Sequence, residues 1–192
     1  ASLETVPNKP THRIIRLIRS LANLEPDIAT RSRTTRLATA LHRILLREKF
    51  DVVHLAGLQL AYLIPAFLDT FGTLTKTSGR PCLVLDELNA EYVVHRRMAA
   101  ATTHGYKKLL GRIYSQCQMA LLKRYEKRLL PLCDAVLCPG QNDLDSLRVL
   151  SPKATLRVVH SGIDIAALES LPRPAQEPVI IFVGDLNYRP NR

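Results

Sequence analysis

The sequence predicts an α/β protein: a Rossmann-like parallel sheet with helices on both faces. Three observations carry that reading. Short apolar or β-branched runs recur along the chain, each the length of a buried strand. Between them lie longer segments with helical spacing of apolar residues, and strands alternating with helices imply βαβ units. At 192 residues, with 46% hydrophobic and 23% charged residues, the chain can bury one sizeable core and begin a second.

Taken in order, Thr11 to Leu24 reads as a helix, with Ile14, Ile15, Ile18 and Leu21 as an apolar stripe and Arg13, Arg16 and Arg19 on its flanks. Pro26 ends it. A second helix covers Thr34 to Lys49, with Leu37, Leu41, Ile44 and Leu45 facing the core. Phe50 to Leu55 is a strand, Gly57 follows it, and Leu58 to Asp69 forms a helix kinked at Pro65. Thr70 to Pro81 is a loop, and Cys82 to Asp86 is the central strand.

From His95 to Arg128 nine Lys and Arg face a single acid, Glu126, with Gly105 dividing two helices. A strand Asp134 to Cys138, a Pro139-Gly140 turn, a helix from Asn142 to Leu150 and a strand Leu156 to His160 follow. Arg173 to Pro178 reads as a linker, and Val179 to Val183 as a last strand ending at Gly184. A parallel strand with no following helix predicts a chain cut from something longer. The expected organisation is a domain over 1–164, a linker over 165–178, and the opening strand and loop of a further domain over 179–192.

The net charge of +10 points to an anionic partner: nucleic acid, an acidic membrane surface or a phosphorylated substrate. Nucleic acid is disfavoured, because Trp is absent and aromatics are 5%, which leaves few stacking platforms. The stripe Tyr106, Leu109, Leu110, Ile113 and Tyr114, flanked by Lys107, Lys108 and Arg112, suits either packing on the sheet or an anionic leaflet. Cys82, Cys117, Cys133 and Cys138 form no C-x-x-C pair, so reduced thiols and no metal are expected. Ala1 to Pro10 is polar with two prolines, unlike a signal peptide, and no run is long enough to span a bilayer.

The run Leu83-Val84-Leu85-Asp86-Glu87-Leu88-Asn89-Ala90-Glu91 delivers polar residues from the end of a buried strand, where ligands bind in open α/β sheets. The same acids also suit the N-terminus of the next helix. His54 in its strand reads as a core histidine, and His95, beside Arg96 and Arg97, as part of a solvated basic face.

Four segments in order, FDVVHLAGLQLAYL (50–63), LVLDELNAEYVVHRR (83–97), CDAVLCPGQNDLDSL (133–147) with VVHSGID (158–164), and IFVGDLNYRPN (181–191), resemble glycosyltransferase family 4. The resemblance covers roughly residues 35–192. It implies half of a two-domain fold: the acceptor-side Rossmann-like domain and the first strand of the donor domain. It also implies retaining transfer of a sugar from a nucleotide sugar to a glycan or lipid-linked acceptor, without a metal or other cofactor, in the cytoplasm or at the inner face of the cell membrane.

Carried over by position, Gly57, Gln59, Glu87, Asn89 and Glu91 would line the acceptor side. Gly184, Asn187 and Arg189 would meet donor phosphates, where a Gly lets backbone approach closely. The sequence departs from the family where an imidazole is usual after the acidic pair. Leu88 stands there and can neither move a proton nor accept a hydrogen bond. Ser161 and His160 replace an Asn and a Pro, and the family's donor-binding acidic pair lies beyond Arg192. The expectation is a fragment that does not transfer sugar alone; the alternative is a non-catalytic basic module on a membrane or nucleic acid.

Overall fold

The computed structural model describes residues 3–7, 12–72, 79–100, 106–166 and 184. The chain divides into two compact units, Ala1–His160 and Ser161–Arg192. All the elements below belong to the first.

Three helices come first: α1 (Arg13–Ala22), α2 (Asp27–Ser32) and α3 (Thr35–Arg47). Then follow β1 (Val52–Ala56), a 3₁₀ segment (Leu58–Leu63), α4 (Ile64–Phe71), β2 (Cys82–Asp86), α5 (Glu91–Ala100) and α6 (Tyr106–Leu129). A short 3₁₀ turn (Leu130–Leu132), β3 (Ala135–Cys138), α7 (Gln141–Leu150) and β4 (Leu156–Val158) complete it. The class is α/β, and the four strands form one wholly parallel sheet in the order β1-β2-β3-β4, consistent with a Rossmann-like fold.

Because each crossover steps the same way across the sheet, right-handedness puts α4, the α5–α6 pair and α7 on one face. Burial agrees. Leu55, Leu83, Leu85, Val136, Cys138 and Leu156 are buried beneath that layer, while Val52, His54 and Ala56 on the opposite face of β1 are exposed. The helices that cross between these strands among the described residues thus share a face. The helical layer seals the core with Ile64, Phe67, Leu122, Tyr125, Leu129, Leu130 and Leu147, each contributing about 1.5–3 kcal/mol by leaving water.

Two local readings change for physical reasons. Pro65 begins a helix rather than kinking one: it sits in the first turn of α4, where a missing N–H costs nothing. The segment α2, which no sequence signal marked, forms just after Pro26, and its Asp27 N–H is bound by Gln118 Oε1 at 2.7 Å.

The sheet's lower edge is clamped by charge. Arg80 makes two 2.8 Å hydrogen bonds to Asp134, whose Oδ2 also accepts the Leu83 N–H at 2.7 Å. That ties the start of β2 to the start of β3 with a largely buried bidentate pair.

Candidate functional site

The carboxyl ends of the strands form a crest. The ladder runs past the regular strands: the Gly57 N–H donates to Asp86 O at 2.8 Å, the Glu87 N–H to Leu137 O at 2.9 Å, and the Val159 N–H to Cys138 O at 2.9 Å. Gly57, Asp86–Asn89, Pro139 and His160 thus lie at or just beyond the carboxyl ends of four successive strands. Gly57 has φ +94°, which an L side chain resists, and Gln59 folds back so that its Nε2 donates to Ala56 O at 3.2 Å.

The alternation of β2 decides what each crest residue does. Leu83 and Leu85 point into the helical layer, so Glu87 does too, and it is fully buried. Its neighbour there is Glu126 of α6, also fully buried. The two carboxyls hydrogen-bond to one another, and Glu126 Oε1 also accepts the long Tyr92 N–H bond at 3.4 Å.

Burial, and then the negative charge of Glu126 and Glu91, holds the Glu87 carboxyl well above the usual range. Burial pushes Glu126 up to about 8, against the Tyr92 N–H that lowers it. Two carboxyls in one dry space cannot both ionise near neutral pH, so the pair retains a proton. Glu87 is therefore enclosed beneath the crest rather than open to it. It belongs to the support under α5, whose N-terminus is held by Glu126 at Tyr92 and by Asp143, which accepts the Ala90 N–H at 3.0 Å.

Asn89 is exposed beside it, Glu91 is half-buried with its carboxyl raised by burial against the opposing charge of Arg31, and Leu88 stands 56% exposed on the crest. On the open face the structure brings together a pair that the sequence reading did not assign. His54 Nε2 lies 3.8 Å from Asp86 Oδ2, both part-exposed. His54 is thus not a core histidine. Such an imidazole beside a carboxylate can take or give a proton after a small rotation or through one water.

His95 is also not on a solvated face. It is half-buried, its Nδ1 has no partner, and burial lowers its pKa against the charge of Asp27. Arg96 and Arg97 beside it are exposed.

The other groups do not extend the crest. Burial pushes the Cys133 and Cys138 thiols up to about 12, so they stay protonated, and all four cysteines are free. A cavity of about 580 Å³ between α3, α4 and α6 shares no residue with the crest, and its cations Arg33 and Arg128 both lean on Glu25. Among the described residues no three His, Cys, Asp or Glu converge as a metal site requires. Gly184 is exposed, and Asn187 and Arg189 lie outside the described residues.

No family model, no curated protein and no solved structure matches the chain.

Proposed function

We propose that this chain carries the acceptor-side domain of a retaining, family 4-type glycosyltransferase, working on a glycan or lipid-linked acceptor. The observation that supports the reading best is the crest itself. Gly57, Gln59 and the His54–Asp86 pair lie at or next to the strand ends, where α/β sheets take ligands, and the exposed Asn89 lies in the loop that follows β2. Glu91 opens α5 just after that loop, while Glu87 acts from below by holding the backbone from which Asn89 projects.

In this reading Asn89 and Gln59 offer amide donors and acceptors to sugar hydroxyls, and His54 with Asp86 replaces the imidazole missing at Leu88. Donor phosphates would be met by the backbone at Gly184 with Asn187 and Arg189. By itself the chain transfers no sugar. Titration of the protein with polysaccharide fragments tests the reading: Asn89→Ala and His54→Ala should each weaken binding about tenfold. Unchanged affinity in both variants, or turnover of a nucleotide sugar by this chain alone, would refute it.

A second reading, a non-catalytic basic module at the inner face of the cell membrane, is favoured by the exposed Arg96, Arg97 and Arg112 on α5 and α6. Among the described residues no helix is long and apolar enough to cross a membrane, so such an association would be peripheral.

A further inference from the structure

The first helix is amphipathic in the wrong direction for a core helix. Its inward side is polar: Ser20 is fully buried and donates to Glu25 O at 2.5 Å, and Gln118 Nε2 of α6 donates to Ser20 Oγ at 3.3 Å. Arg16 pairs with Asp27 at 2.5 Å on the same side. Its outward side is apolar. Ile15, Ile18 and Leu21 are 48%, 61% and 50% exposed, and Leu17 and the following Leu24 are exposed as well.

At 100° per residue Leu17, Leu21, Ile18 and Ile15 share one outward arc, bounded by the exposed Arg19. The polar contacts fix this orientation. Turning the stripe inward would swing Arg16 out, away from Asp27, and strip Ser20 and Gln118 of their bonds.

What covers the stripe is constrained by charge and size. The chain carries +10, so a second copy would bring like charge against Arg19 and its surroundings. A ten-residue helix is about 15 Å long, too little for the roughly 1,200 Å² of a stable protein interface. An anionic lipid surface meets both conditions: it takes a short apolar stripe at the headgroup boundary and attracts the cations around it. Asp27, at the corner between α1 and α2, lies beside His95 of α5, and the exposed Arg96 and Arg97 follow directly on that helix.

We propose that α1 is an interfacial helix, seating Ile15, Leu17, Ile18 and Leu21 in an anionic leaflet with Arg19 at the headgroups, while the exposed Arg96 and Arg97 of α5 add to the attraction. This goes beyond the basic-helix reading, since the apolar contact is carried by α1, and it requires no sugar chemistry.

Vesicle flotation of the whole chain tests it, with pure phosphatidylcholine vesicles and with phosphatidylcholine mixed with phosphatidylglycerol, at low and high salt. The protein should partition onto the mixed vesicles and be released by salt. Ile18→Ser with Leu21→Ser should reduce that partition about tenfold with an unchanged thermal melt, because both side chains already face water. Replacing Arg19, Arg96 and Arg97 with Gln should reduce binding to the mixed vesicles alone. Equal binding to both vesicle types, or full binding by the serine variant, would overturn the proposal. So would a dimer in sedimentation equilibrium that the serine variant abolishes, since the occupant would then be a second copy. Glycan binding that fails while vesicle binding persists would count against the acceptor reading and leave this one standing.

Discussion

Replacing Glu126 by Gln should make the protein less sensitive to alkaline pH. The wild-type carboxyl has an ordinary value of 4.5 when unfolded and about 8 in the fold, where burial dominates. Between those values the folded state holds a proton that the unfolded state has released. Stability is therefore complete below about pH 4.5 and falls as pH rises towards 8.

The rise from 4.5 to about 8 sets a loss on the order of 5 kcal/mol across that window, at about 1.4 kcal/mol per tenfold change in proton affinity. Because Glu126 and Glu87 share their proton, the loss belongs to the pair. The substituted amide would not titrate; its carbonyl can still accept the Tyr92 N–H, and its NH₂ can donate to Glu87 in place of the shared proton.

Urea unfolding at pH 5 and pH 8, followed by far-ultraviolet circular dichroism, reads the difference. Wild type should lose several kcal/mol between the two conditions, and Glu126→Gln roughly half as much. The half-buried His95, whose pKa burial lowers, is common to both proteins and cancels in the comparison. Equal pH dependence in the two proteins, or a wild type more stable at pH 8 than at pH 5, would refute the shared-proton account.

Other perturbations follow from the same geometry. Asp134→Ala leaves Arg80 largely buried without its bidentate partner and should cost about 3 kcal/mol in a denaturant melt, with Asp134→Asn milder because the Leu83 N–H keeps an acceptor. Gly57→Ala forces a side chain into φ +94° and against Gln59, and should cost about 1–2 kcal/mol while loosening the crest, read as a lower midpoint of thermal unfolding. With a thiol reagent at pH 8 the native protein should modify the exposed Cys117 first and spare Cys133 and Cys138 until it unfolds; early loss of either buried thiol would contradict their raised values.

The strands were legible because short apolar runs ending in polar residues have few other uses, and β1 to β4 fall where those runs lie. The fate of Glu87 was legible too, from a signal left unused. Period two from the inward Leu83 and Leu85 turns Glu87 inward, as period two from Leu55 turns His54 out. Glu126 announced itself as the single acid among nine bases, but its partner lies far away in sequence, and only packing brings α6 over the end of β2.

The orientation of α1 was not legible. Helical spacing gives a stripe but not the side it faces, and the choice here is made by Gln118 and Asp27, contacts that no local pattern encodes. The short α2 escaped for a similar reason, since six residues held by one tertiary hydrogen bond carry little local signal.

The most direct test of the crest as an acceptor site is a ¹⁵N-resolved titration of the whole chain with a neutral oligosaccharide series. Saturable shifts are expected at Gly57, Gln59, Leu88 and Asn89, weakened by His54→Ala. Shifts confined to Arg96, Arg97 and Arg112, and produced only by anionic ligands, would contradict it and leave a basic surface in place of a sugar site.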